Sequence, residues 1–60
     1  MINKVEFSDI INEFKKDINL NIYQLCFNLQ CSDGVIYRRI TAKGFKGLTD
    51  VKRALNGGLL

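Results

Sequence analysis

Sixty residues, 47% hydrophobic and 25% charged with a net charge of +3, describe one small folded domain rather than a disordered tail. A chain this short buries only about 60% of the surface its unfolded form exposes, so it needs every apolar contact it can make. With no histidine and only two cysteines, it cannot supply a structural zinc set by itself.

The N-terminal stretch MINKVEFSDI is too mixed in character for a secretory signal, and no run of about 18 apolar residues is present to span a membrane. We therefore expect a soluble, cytoplasmic protein. The chain opens on Met1 and closes two residues past a glycine pair, which leads us to expect a complete small gene product of the kind phages and mobile elements carry.

Residues 7–18 predict a helix. Phe7, Ile10, Ile11, Phe14 and Ile18 recur at helical spacing and define one apolar stripe. Ser8 with Asp9 forms a candidate N-cap and first turn. An alternative start is Asn3 with Glu6 as a capping box, stapled by Ile2 and Phe7. Val5 would then fall opposite the stripe. Glu6, Asp9, Glu13 and Asp17 line one side of this helix, either as an acidic strip for a basic partner or as an ordinary solvated face.

The next segment, NIYQLCFNLQC, alternates: Tyr23, Leu25, Phe27, Leu29 and Cys31 against Ile22, Gln24, Cys26, Asn28 and Gln30. Period-two alternation predicts a half-buried strand. Asp33-Gly34 is a favoured pair for a two-residue type I′ turn, and VIYRRITA, residues 35–42, then reads as a second antiparallel strand. The turn fixes a register. It sets Cys31 against Ile36, Leu29 against Arg38 and Phe27 against Ile40 on an apolar face. Gln30 then meets Tyr37, Asn28 meets Arg39 and Gln24 meets Lys43 on a polar one.

In that register Arg39 is ordinary, whereas Arg38 lies among apolar neighbours and must snorkel, pair with a carboxylate or reach a second chain. Cys26 and Cys31 would point to opposite faces of one strand, out of reach of each other, and are expected as two reduced thiols.

KGFKG, residues 43–47, is a glycine-punctuated connection with Phe45 folded inward. A last helix runs from about Thr49 to Asn56, with Leu48, Val51, Leu55 and Leu59 as its apolar side and Gly57 as its C-cap. The expected fold class is therefore α+β: an α-β-β-α chain whose antiparallel hairpin is covered on one face by two helices. A lone hairpin is marginal in water, so we expect a homodimer that joins hairpin edges into a four-stranded sheet.

No catalytic set is visible. Histidine is absent, neither cysteine has a cation beside it, and KGFKG lacks the spacing of a phosphate-binding loop. We expect no enzyme and no cofactor or metal. Charge is segregated along the chain. Residues 1–31 carry three lysines against four carboxylates, whereas residues 32–60 carry Arg38, Arg39, Lys43, Lys46, Lys52 and Arg53 against Asp33 and Asp50.

Two functions fit these observations. The first is a small regulator that binds and inhibits a partner protein. The alternative is a nucleic-acid-binding regulator that uses the basic second strand and C-terminal helix. In either case the candidate contact residues are Tyr37, Arg38, Arg39, Lys43, Lys46, Lys52 and Arg53.

Overall fold

A computed structural model describes residues 5–60, and they fold as four short helices: α1 (Phe7–Lys16), α2 (Ile22–Leu29), α3 (Asp33–Ala42) and α4 (Leu48–Asn56). No strand occurs among the described residues. The α+β expectation, with its hairpin and its cross-dimer sheet, is overturned.

The reason lies in the period of residues 21–31. Ile22, Leu25, Cys26 and Leu29 also recur at i, i+3, i+4 and i+7, one face of a helix, and that face is the one the protein covers. Leu25 is fully buried, and Ile22, Cys26 and Leu29 pack against the core. Tyr23 and Phe27, which alternation would place beside Leu25, are 81% and 84% exposed. A reciprocal cap starts the helix: the Gln24 N–H donates to Asn21 Oδ1 at 2.9 Å, and the Asn21 N–H donates to Gln24 Oε1 at 3.0 Å. This Asn-x-x-Gln box is the local signal that alternation concealed.

Asp33 and Gly34 form no hairpin turn. They are the first two residues of α3, entered through extended Ser32. The connection between α2 and α3 is only Gln30, Cys31 and Ser32. Gln30 holds the left-handed conformation (φ 54°), and the Cys31 N–H closes back on the Cys26 carbonyl at 3.1 Å. This is a helix C-terminus reversed through one left-handed residue. The ends of α3 and α4 close in the same way. Phe45 N–H reaches the Ile40 carbonyl at 3.0 Å across Gly44 (φ 89°), and Leu59 N–H reaches the Ala54 carbonyl at 2.9 Å across Gly58 (φ 78°). Gly57 is the C-cap of α4, as expected, with a right-handed φ, and Gly58 after it supplies the left-handed turn; Leu59 stays 82% exposed instead of joining the apolar side.

α1 is capped two residues before the expected Ser8. Glu6 is the N-cap, and its N–H donates to Asp9 Oδ2 at 2.9 Å. The alternative cap at Asn3, with its staple residue Ile2, lies outside the described residues. Val5 lies before the N-cap, outside the helix, and is buried there. Ile18 falls beyond the end of α1 but still packs against the core.

α3 packs against each of the other three helices and supplies two of the fully buried side chains, Ile36 and Ile40. Around them close Ile10 and Phe14 of α1, Leu25 of α2 and Val51 of α4. Phe45 turns inward as expected and stacks on Phe7, with ring centroids 5.7 Å apart and planes 8° from parallel. No described helix is long and apolar enough to cross a membrane.

Candidate nucleic-acid interface

A helix of ten residues that buries Ile36 and Ile40 must turn the opposite side outward. On α3 that side consists of Gly34, Tyr37, Arg38 and Thr41, separated by three- and four-residue steps and all exposed. Arg38 is exposed and makes no hydrogen bond or ion pair among the described residues. Gly34 removes bulk from the same side near the start of the helix. Asp33 and Ser32 lie exposed at its N-terminus.

The two arginines exchange the roles expected of them. Arg39, expected on a polar face, is half-buried, and its Nε–H donates to the Val5 carbonyl at 2.9 Å. Arg38, expected among apolar residues, is the exposed one. On a helix neighbouring positions lie about 100° apart, so the doublet still divides between two faces, but Ile36 and Ile40 draw Arg39 toward the interior.

The remaining basic candidates divide into two groups. Lys43 follows the last turn of α3, with its ammonium 5.9 Å from the Phe7 ring, and Lys46 is exposed in the connection to α4. Both lie just beyond the C-terminal end of the open α3 face. Lys52 and Arg53 sit on α4. The Lys52 ammonium lies 5.5 Å from the Phe14 ring of α1, a cation over an aromatic face, and Arg53 lies 3.9 Å from Asp50. The structure therefore places Tyr37, Arg38, Lys43 and Lys46 along one helix and its exit, and gives Arg39, Lys43, Lys52 and Arg53 intramolecular partners, Lys43 through the Phe7 ring.

The acidic strip of α1 also has internal duties. Asp9 caps the helix start, Glu13 accepts from Lys16 at 3.3 Å and from Asn28 of α2 at 3.0 Å, and Asp17 accepts from the Asn19 N–H at 3.0 Å. Glu13 and Asn28 line an open cleft together with Cys26, Phe27, Cys31 and Ser32. Burial pushes both thiols above their usual range. Asp33 adds to this for Cys26, and Cys26 adds to it for Cys31.

Sequence reasoning did not place Gly34 and Thr41 on the exposed side of a helix, because the hairpin reading puts Gly34 in its turn and Thr41 on its second strand. The signal that finds them is the spacing of Ile36 and Ile40, which defines the outer side once the segment is read as a helix. Comparison with protein-family models, curated proteins and solved structures yields no significant match to this chain.

Proposed function

We propose that the chain is a DNA-binding module of the helix-turn-helix kind, with α3 as the helix that enters the major groove. The observation that carries this reading is the α2–α3 unit: two short helices joined by three residues, with the outer side of the second helix exposed and its Arg38 without a partner among the described residues. Units of this design lay the second helix in the groove while the first crosses the backbone.

Each outward residue then has a role set by its chemistry. Arg38 offers paired donors to the O6 and N7 of guanine, and Thr41 offers a hydroxyl to a base edge and a methyl to thymine. Gly34 permits close approach near the start of the helix. Asp33 beside it suits the exocyclic amine of cytosine and repels phosphate. Tyr37, Lys43 and Lys46 serve the phosphate backbone, where contacts set position rather than sequence. The module works in the cytoplasm as a regulator, and two copies would read half-sites about 34 Å apart on one face of the duplex.

The test is binding to a randomised duplex pool at low salt, followed by titration of selected and scrambled duplexes across salt concentration. Affinity should fall with salt at a slope of about −0.9 per neutralised phosphate. Arg38→Ala should cost about 1–3 kcal/mol of discrimination at one base pair. Lys46→Ala should weaken all duplexes alike. Failure to retain any duplex at low salt overturns the reading, and preference for single-stranded RNA would redirect it.

A second reading, a regulator that binds and inhibits a protein, is favoured by one observation. Tyr23 and Phe27, four residues apart on α2, together expose two aromatic rings, the residue type enriched at protein interfaces. Affinity capture with and without nuclease separates the two. Loss of captured protein after nuclease supports DNA binding, and retention that depends on Phe27 supports a protein partner.

A further inference from the structure

We propose that Cys26 and Cys31 are a disulfide-forming pair, closed across the α2–α3 turn by exchange with a small-molecule disulfide such as oxidised glutathione. This does not depend on what the protein binds.

The turn itself brings the two residues together. The Cys31 N–H lies 3.1 Å from the Cys26 carbonyl oxygen. Adding the N–Cα bond of one residue and the Cα-to-oxygen reach of the other bounds their Cα separation at about 7 Å, and any bend along that path shortens it. Disulfides close over Cα separations of roughly 4.4–6.8 Å. The left-handed Gln30 sets this geometry by reversing the chain after Leu29. It gives Cys26 and Cys31 the positions whose side chains commonly meet when a helix ends in this way.

Their surroundings agree. Both cysteines are free thiols, half-buried, and both line the cleft beside Asn28 and Ser32. Reagent therefore has access without unfolding. The charged groups facing them are Asp33 at the start of α3 and Glu13 across the cleft on α1, the latter held by Lys16 and Asn28. Burial raises both thiols, with Asp33 adding to this for Cys26 and Cys26 adding to it for Cys31, so they keep their protons to higher pH.

The exchange balances as follows. One cysteine gives up its proton, and the thiolate attacks a sulfur of the glutathione disulfide. A mixed protein–glutathione disulfide forms and one glutathione thiolate leaves, taking up a proton. The second cysteine, deprotonated in turn, attacks the protein-side sulfur and expels the other glutathione. The protein is oxidised by loss of two hydrogens, and the glutathione disulfide is reduced to two thiols.

The full chain is incubated with oxidised glutathione in buffer and in concentrated urea, quenched with acid, alkylated and weighed by mass spectrometry. In buffer we expect a product lighter by two hydrogens that has lost both alkylation sites, with an unchanged helical circular dichroism spectrum. Closure should be faster in buffer than in urea, and its rate should rise about tenfold per pH unit while the thiols remain mostly protonated. Cys26→Ser and Cys31→Ser should each stop at a stable mixed disulfide. A wild-type chain that accumulates only the mixed disulfide or intermolecular dimers overturns the proposal. So does closure in urea at a rate equal to or above that in buffer.

Discussion

α1 and α3 are equal in length, ten residues each, and each contributes fully buried isoleucine to the same core, yet they use their polar side chains differently. On α1, Asp9 closes the first turn and Glu13 ties the helix to Asn28 of α2, while Asp17 just past its end fastens the following turn. Among the described residues, the outer residues Gly34, Tyr37, Arg38 and Thr41 of α3 make no such side-chain ties, while Arg39 bonds inward to the Val5 carbonyl. A helix whose polar groups are used within the molecule holds the structure together. A helix whose polar groups are left to solvent has them available for something else.

The two helices should differ least in their cores, and there the largest effects are expected. Ile36→Ala on α3 and Phe14→Ala on α1 each remove a fully buried side chain, at a cost of about 2–5 kcal/mol. That is comparable to the whole stability of a domain this small. Both variants should be largely unfolded at 25 °C by circular dichroism. A folded, cooperative Ile36→Ala would mean that α3 is not the centre of the core.

Polar substitutions should separate the helices. Arg39→Ala breaks the bond to the Val5 carbonyl and uncovers apolar surface beneath the arginine stem. We expect a loss of about 1–2 kcal/mol in urea denaturation. Arg38→Ala should change stability by less than about 0.5 kcal/mol while removing the discrimination assigned to it above. Equal losses for the two would show that the inner and outer faces of α3 have been confused.

Capping provides the next step down. Asn21→Ala removes the acceptor for the Gln24 N–H at the start of α2 and should cost about 1 kcal/mol. The same experiment on Ser32, whose side chain makes no capping bond, should cost less. Reversal of that order would place the structural anchor of the α2–α3 unit at its turn rather than at its entrance.

How much of this is legible in the sequence differs from segment to segment. In α1 and α4 the apolar residues admit one period: Ile10, Ile11 and Phe14 cannot alternate, and neither can Leu48, Val51 and Leu55. In residues 21–31 the aromatic rings of Tyr23 and Phe27 complete an alternating set that an outward-facing Tyr or Phe does not require. Treating every large apolar side chain as core made the strand convincing. Discounting those two leaves Ile22, Leu25, Cys26 and Leu29, and Asn21 with Gln24 then reads as a cap. The basic second half was visible from charge alone, but its division into an open face and a set of internally partnered cations was not. That division depends on which side of α3 its isoleucines bury, and so on the helix.

Gly34 decides between the two readings of the segment with the smallest change. In a type I′ turn over Asp33-Gly34 both residues take positive φ, and a side chain at position 34 is strained. In the structure Gly34 lies within the first turn of α3 with right-handed backbone, and a methyl group there would meet only Ser32 Oγ at 3.9 Å, an ordinary contact. Gly34→Ala should therefore stabilise the protein by about 0.5 kcal/mol, because alanine loses less backbone freedom in a helix. Under the hairpin reading the same substitution is destabilising, so the sign of the urea midpoint shift separates the two. The substitution also places a methyl group on the face assigned to the groove. A variant that is more stable yet binds duplex DNA less tightly would join the two properties of α3, its inner side holding the core and its outer side free to meet a partner.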